Sequence, residues 1–231
     1  MEIKLSWRYC LAFMAFVFVF GQLHEVAHLS VAYIICGCTG KQIDFNLWTF
    51  CADCINNSHI YIAEMAGPVF SYIMMWTGYF LLRSNNNRYW SLALVLIACN
   101  MAFARIFTAG MGRGDETTVL KVLLHGQSIL LIKSIGFAVV FILSFPPLYM
   151  IYKRLANKNR LWTMLGLCFI PMCIMMPYEF MLLGKVLRAG FLAQRHFLGV
   201  ADFIYLHTAL MTMLIVIFRK SLFQAYSKSL T

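Results

Sequence analysis

Six long apolar stretches, roughly 9–36, 60–82, 90–109, 129–152, 161–183 and 203–218, decide what this chain can fold into. A helix of about 20 mostly apolar residues crosses the roughly 30 Å hydrocarbon core of a bilayer. Six such helices use most of the 231 residues and leave no room for a large water-soluble domain. Charge points the same way, because 12% of the residues are charged against about 25% in soluble domains. The expected fold is an all-α polytopic membrane protein. Its solvent is the lipid bilayer, and both parts, 1–128 and 129–231, belong to one membrane domain.

The formal net charge of +10 comes from Lys and Arg in short loops and beside the apolar stretches. Membrane proteins place their basic residues in this way. There is no basic stripe interleaved with aromatic residues, so nucleic acid is not an expected partner. Residues 1–20 look like a signal peptide, with Lys4 and Arg8 ahead of an apolar run. No small-residue cleavage site follows, however, and the apolar character resumes beyond His28, so a retained first helix is expected. With the N-terminus inside, Lys4, Arg8, Arg83, Arg88, Lys153, Arg154, Lys158, Arg160, Arg219, Lys220 and Lys228 fall on the inner side. Lys41, Arg105, Arg113, Lys121, Lys185, Arg188 and Arg195 fall outside, and this bias places both termini in the cytoplasm.

The longest polar interval, 37–59, contains Cys38, Asp44, Cys51, Asp53, Cys54 and His59, with Phe45, Leu47, Trp48 and Phe50 interspersed. That mixture fits a loop that dips into the membrane interface or forms short strands. Cys36, Cys38, Cys51 and Cys54 cluster here. They fit a structural zinc knuckle if the loop is cytosolic, disulfides if it lies outside, or free thiols. Cys10, Cys99, Cys168 and Cys173 lie within apolar stretches as packing residues. Asn56-Asn57-Ser58 is a glycosylation sequon that matters only in a lumenal loop.

The chemistry is concentrated in His24-Glu25-Val26-Ala27-His28. Residues four apart share one helix face, so His24 and His28 offer two imidazole nitrogens to one Zn²⁺. Glu25 is displaced around the helix and reaches an attacking water as general base, the division of labour of the H-E-x-x-H pattern. Ionisable groups inside a membrane helix are expensive and usually functional, and here three fall within five residues. The plainer alternative is a buried polar cluster that only holds helices together.

A catalytic zinc needs a third protein ligand and an open position. Asp115, Glu116, Glu64, His59 and Glu179 are candidates. The first and third stretches run parallel in an alternating topology, so their C-terminal ends reach the same face. That favours Asp115, and Gly110, Gly112 and Gly114 allow the backbone to fold back toward the histidines. Glu116 is the runner-up. Both acids would also serve as helix N-terminal residues.

These features together resemble the site-2 protease family of intramembrane zinc metalloproteases. The matching parts are the His24–His28 segment, Ala66-Gly67-Pro68 in the next helix, and the Gly-rich Asp115 segment after the third, covering roughly 9–120. The resemblance implies a three-helix metalloprotease core in which His24, His28 and Asp115 bind zinc and Glu25 is the catalytic base. It places Asn100, Gly67 and Pro68 beside the substrate, a transmembrane helix of another protein. The family's Leu-Asp-Gly run is here Met-Gly-Arg-Gly-Asp-Glu, with a longer gap from Asn100. The family places zinc toward the cytosol, whereas the Lys and Arg distribution places His28 toward the outside.

Three functions are compatible with these residues. An active intramembrane protease uses Glu25 as base. A silent relative that binds membrane helices has no need of it. A metal transporter would place several ligands at mid-membrane on discontinuous helices, whereas this chain gathers them near one end.

Overall fold

A computed structural model describes residues 1–55, 57–84, 86 and 89–223. Asn56 of the sequon, Arg88 and Lys228 lie outside the described residues. The chain is mostly helical: α1 (Trp7–Cys36), α2 (Ile60–Arg83), α3 (Trp90–Ala98), α4 (Ala102–Gly110), α5 (Asp115–Leu123), α6 (Ile129–Arg154), α7 (Arg160–Met175), α8 (Gly184–Arg188) and α9 (Asp202–Phe223). Six segments are long and apolar enough to cross a membrane, at Trp7–Cys36, Ile60–Arg83, Trp90–Gly110, Ile129–Arg154, Arg160–Arg188 and Asp202–Leu222.

Local chemistry sets the helix ends. Ser6 caps α1 by accepting from the Tyr9 amide at 3.2 Å. Gly37, at φ 68°, closes it, and its N–H bonds the Tyr33 carbonyl at 2.8 Å. A left-handed residue at that position is a common helix stop, and glycine takes it without penalty. Ser128 caps α6 in the same manner as Ser6.

Two of the expected apolar helices depart from a regular α-helix. The third stretch breaks at Cys99–Met101, where Met101 takes a left-handed φ of 48°. The Asn100 amide donates to the Leu96 carbonyl at 2.6 Å across this break. The fifth passes from α7 through a π-helical turn, Met176–Leu183, into α8.

The description all-α also needs correction. Lys41–Asp44 (β1) and Leu47–Thr49 (β2) form an antiparallel hairpin. Gln42 of the hairpin and Gln22 of α1 exchange side-chain hydrogen bonds at 2.9 and 3.0 Å, and both are buried. This pair pins the hairpin to α1 two residues before His24.

One core joins the two halves of the chain. Tyr9, Phe13, Met75, Ile97, Ile151 and Leu222 are buried in a single cluster drawn from α1, α2, α3, α6 and α9. The outward faces are apolar too, with Leu130, Ile142, Phe145, Met213 and Val216 exposed. Polar contacts gather at the two ends. At one end, Ile3 and Asn157 are paired. At the other, Asp44 meets Arg188 at 2.6 Å and Arg195 donates to the Gln42 carbonyl at 3.2 Å.

Candidate metal centre

His24 and His28 lie on one face of α1, and both are buried. Their Nε2 atoms are 3.1 Å apart. Asp115, the first residue of α5, brings its Oδ2 to 3.2 Å from His24 Nε2 and 3.7 Å from His28 Nε2. The three ligand atoms lie within 4.8 Å of one another, so the group can hold one metal ion. Asp115 reaches this point because Gly112 and Gly114 turn the chain between α4 and α5 with φ of 74° and 88°. Gly110 is the last residue of α4.

Burial works against ionisation of the Asp115 carboxyl. The hydrogen bond from His24 and the His28 imidazole close by outweigh it and hold the group well below the usual carboxylate range. Asp115 therefore offers an anionic oxygen to a cation. It also sits in the first turn of α5, where a negative charge suits the helix N-terminus.

The other candidate ligands fall elsewhere. Glu116 turns away and accepts from Arg105 Nη1 at 3.0 Å and from the Tyr72 hydroxyl at 2.9 Å. Glu64 lines the same cleft but is not among the clustered ligands. His59 is exposed at the start of α2. Glu179 is buried in the π-helical turn, and its Oε2 has no hydrogen-bond partner among the described residues.

Each imidazole is oriented from behind. His28 Nδ1 donates to the Ala63 carbonyl at 2.7 Å, which leaves Nε2 facing the centre. Trp48 of the hairpin stacks on His28 with ring centroids 4.9 Å apart. His24 Nδ1 faces Ser71 Oγ at 3.1 Å and Arg105 Nη2 at 2.9 Å. Such outer partners fix ring orientation at metal sites.

Gly67 makes the close packing possible. A Cβ there would fall 2.6 Å from His24 Nε2 and would also collide with His28 Nε2. Gly67 and Pro68 are thus buried behind the centre in α2. Asn100 is buried and lines the cleft.

The centre opens into a cleft of about 370 Å³. Glu25, Trp48, Glu64, Asn100, Arg105 and Asp115 are among the residues that line it. Glu25 is 3% exposed, and its Oε2 has no hydrogen-bond partner among the described residues. An orphaned carboxylate oxygen at the wall of a cleft is unusual, since buried polar atoms are nearly always paired.

Sequence reasoning missed Ser71, Tyr72 and the role of Arg105. The available signal was an arginine inside an apolar stretch, where an ionisable side chain points to function. The loop cysteines form disulfides, Cys36–Cys54 and Cys38–Cys51, which replaces the zinc-knuckle and free-thiol alternatives.

No protein-family model, curated protein or solved structure matches this chain.

Proposed function

We propose that this protein is a multi-pass intramembrane zinc metalloprotease whose substrates are transmembrane helices of other proteins. The observation that carries the reading is the buried His24–His28–Asp115 group with the unpartnered Glu25 carboxylate beside it at the cleft. Two imidazoles and one carboxylate are the donor types of catalytic zinc sites. The residues fit a small cation: the donors converge, Asp115 is anionic, and Gly67 supplies the space.

A zinc ion held there would supply Lewis-acid activation of water and of a peptide carbonyl. The chain's own residues would do the rest. Glu25 takes a proton from the attacking water as its oxygen bonds to the carbonyl carbon. It then returns that proton to the amine nitrogen as the C–N bond breaks. Asn100 and Arg105, on the cleft wall, offer hydrogen-bond donors to an unwound substrate backbone.

The orphaned Glu25 oxygen favours an enzyme over a silent helix-binding relative, which has no use for a buried base. The test is to purify the wild type, His28→Ala and Glu25→Gln in mild detergent and count zinc by mass spectrometry. About one zinc per chain in the wild type, lost in His28→Ala, is expected. Glu25→Gln should keep its zinc and fail to cut a reporter bearing a helix-destabilised membrane segment. Equal zinc in wild type and His28→Ala would overturn the metal assignment.

A further inference from the structure

We infer that the cleft opens to the oxidising, non-cytosolic face of the membrane, so that the substrate segment it takes lies at the non-cytosolic end of a membrane helix. The substrate part rests on the protease reading above; the orientation does not.

The first observation is covalent. Cys36–Cys54 and Cys38–Cys51 tie the C-terminal end of α1 to the chain just beyond the hairpin. Their Cα atoms are 5.4 and 6.2 Å apart, the range in which a disulfide closes without backbone movement. Of the free cysteines, Cys10 lies in α1, Cys168 and Cys173 lie in α7, and Cys99 lies at the break after α3. Every bridged cysteine is therefore at one end of the bundle. Disulfides form and persist in oxidising compartments and are rare where glutathione and thioredoxin act.

The second observation is charge. The opposite end carries Lys4, Arg8, Arg83, Lys153, Arg154, Lys158, Arg160, Arg219 and Lys220, and its one acid among the described residues is Glu2. The cleft end carries Lys41, Arg105, Arg113, Lys121, Lys185, Arg188 and Arg195, interspersed with Asp44, Asp53, Glu64, Asp115, Glu116 and Asp202, and Arg105 and Arg188 pair with Glu116 and Asp44. An excess of Lys and Arg marks the cytoplasmic side. The end richer in Lys and Arg is the one away from the disulfides.

The third observation joins the bridged loop to the chemistry. Asn46, Leu47 and Trp48 of the hairpin line the cleft, and Trp48 stacks on His28. Eight residues of helix separate His28 from Cys36, about 12 Å at 1.5 Å per residue. The metal centre thus lies in the half of the bundle capped by the bridged loop, and that loop forms part of its wall. A membrane helix entering from this side presents its non-cytosolic end to Glu25 first.

The experiment uses the full chain in sealed membrane vesicles of known orientation. A membrane-impermeant maleimide polymer is supplied to the non-cytosolic face alone, with and without prior treatment by an impermeant reductant. A gel shift for the four loop thiols is expected only after reduction. In the variant Lys158→Cys, label at residue 158 is expected only after the vesicles are opened. Loop thiols that react without reductant, or only from the cytosolic face, would overturn the proposal. Zinc is counted in the same preparation. Outward-facing disulfides with no bound zinc would defeat the protease reading while leaving the orientation standing.

Discussion

Arg105 Nη2 lies 2.9 Å from Nδ1 of His24. A guanidinium has donors only, so Nδ1 accepts, and the neutral His24 ring carries its proton on Nε2, facing Asp115 Oδ2 at 3.2 Å. His28 is set the other way round. Its Nδ1 donates to the Ala63 carbonyl at 2.7 Å, and its Nε2 is bare. One ring offers a lone pair to the centre and the other offers a proton. A metal needs lone pairs from both. Binding a metal would require the other His24 tautomer, in which Nδ1–H donates a hydrogen bond to Ser71 Oγ at 3.1 Å and Arg105 Nη2 keeps only its own bond to Ser71 Oγ at 3.0 Å.

Ser71→Ala is accordingly expected to weaken zinc binding by about 10- to 100-fold, the usual effect of losing an outer partner of a ligating histidine. Competition with a fluorescent chelator measures it. Affinity should fall with decreasing pH in both proteins, because protons compete for the imidazole nitrogens. Unchanged affinity in Ser71→Ala would remove Ser71 from the site.

The pair between Arg105 and Glu116 predicts a stability effect of a particular form. The two side chains are 14% and 6% exposed, so deleting one leaves a charge with little access to water. Glu116→Ala should destabilise the protein by about 3 kcal/mol. Adding Arg105→Met in the same chain should recover part of the loss. Thermal unfolding in detergent checks both, and a double variant weaker than Glu116→Ala would contradict the argument.

Gly67→Ala introduces a methyl 2.6 Å from His24 Nε2, where α2 backs onto the imidazoles. The rings must move apart, so zinc content should fall well below one per chain while the helical circular-dichroism signal is retained. Full zinc occupancy in this variant would mean that α2 and α1 are not so closely apposed.

The disulfides should also matter for stability. Cys38–Cys51 closes a loop with a separation of 13 residues. The paired variant Cys38→Ser/Cys51→Ser should be less stable by about 3 kcal/mol under non-reducing conditions. The difference should vanish once the wild type is fully reduced.

Much of this arrangement was legible in one dimension. The apolar stretches mark six helices because length and hydropathy are local properties. His24 and His28 share a face because helical periodicity alone puts residues four apart together. The hairpin was legible only as an interval of alternating polar and aromatic residues, since strand pairing depends on partners.

Distant pairings were decided by the tertiary structure. Asp115 stands 91 residues from His24 and meets it only through the path of α2, α3 and α4 and the turns at Gly112 and Gly114. Asp115 and Glu116 are equivalent by composition. One helical step of about 100° separates the acid that meets His24 and His28 from the partner of Arg105. Four cysteines permit several pairings, and loop geometry selects Cys36 with Cys54 and Cys38 with Cys51. The break at Met101 carries no proline or glycine to announce it, because it arises from how α3 and α4 pack. Local chemistry thus determined the helices and the two histidines, whereas the carboxylate that joins them, the supporting arginine and the disulfide clamp depend on contacts between residues far apart in the chain.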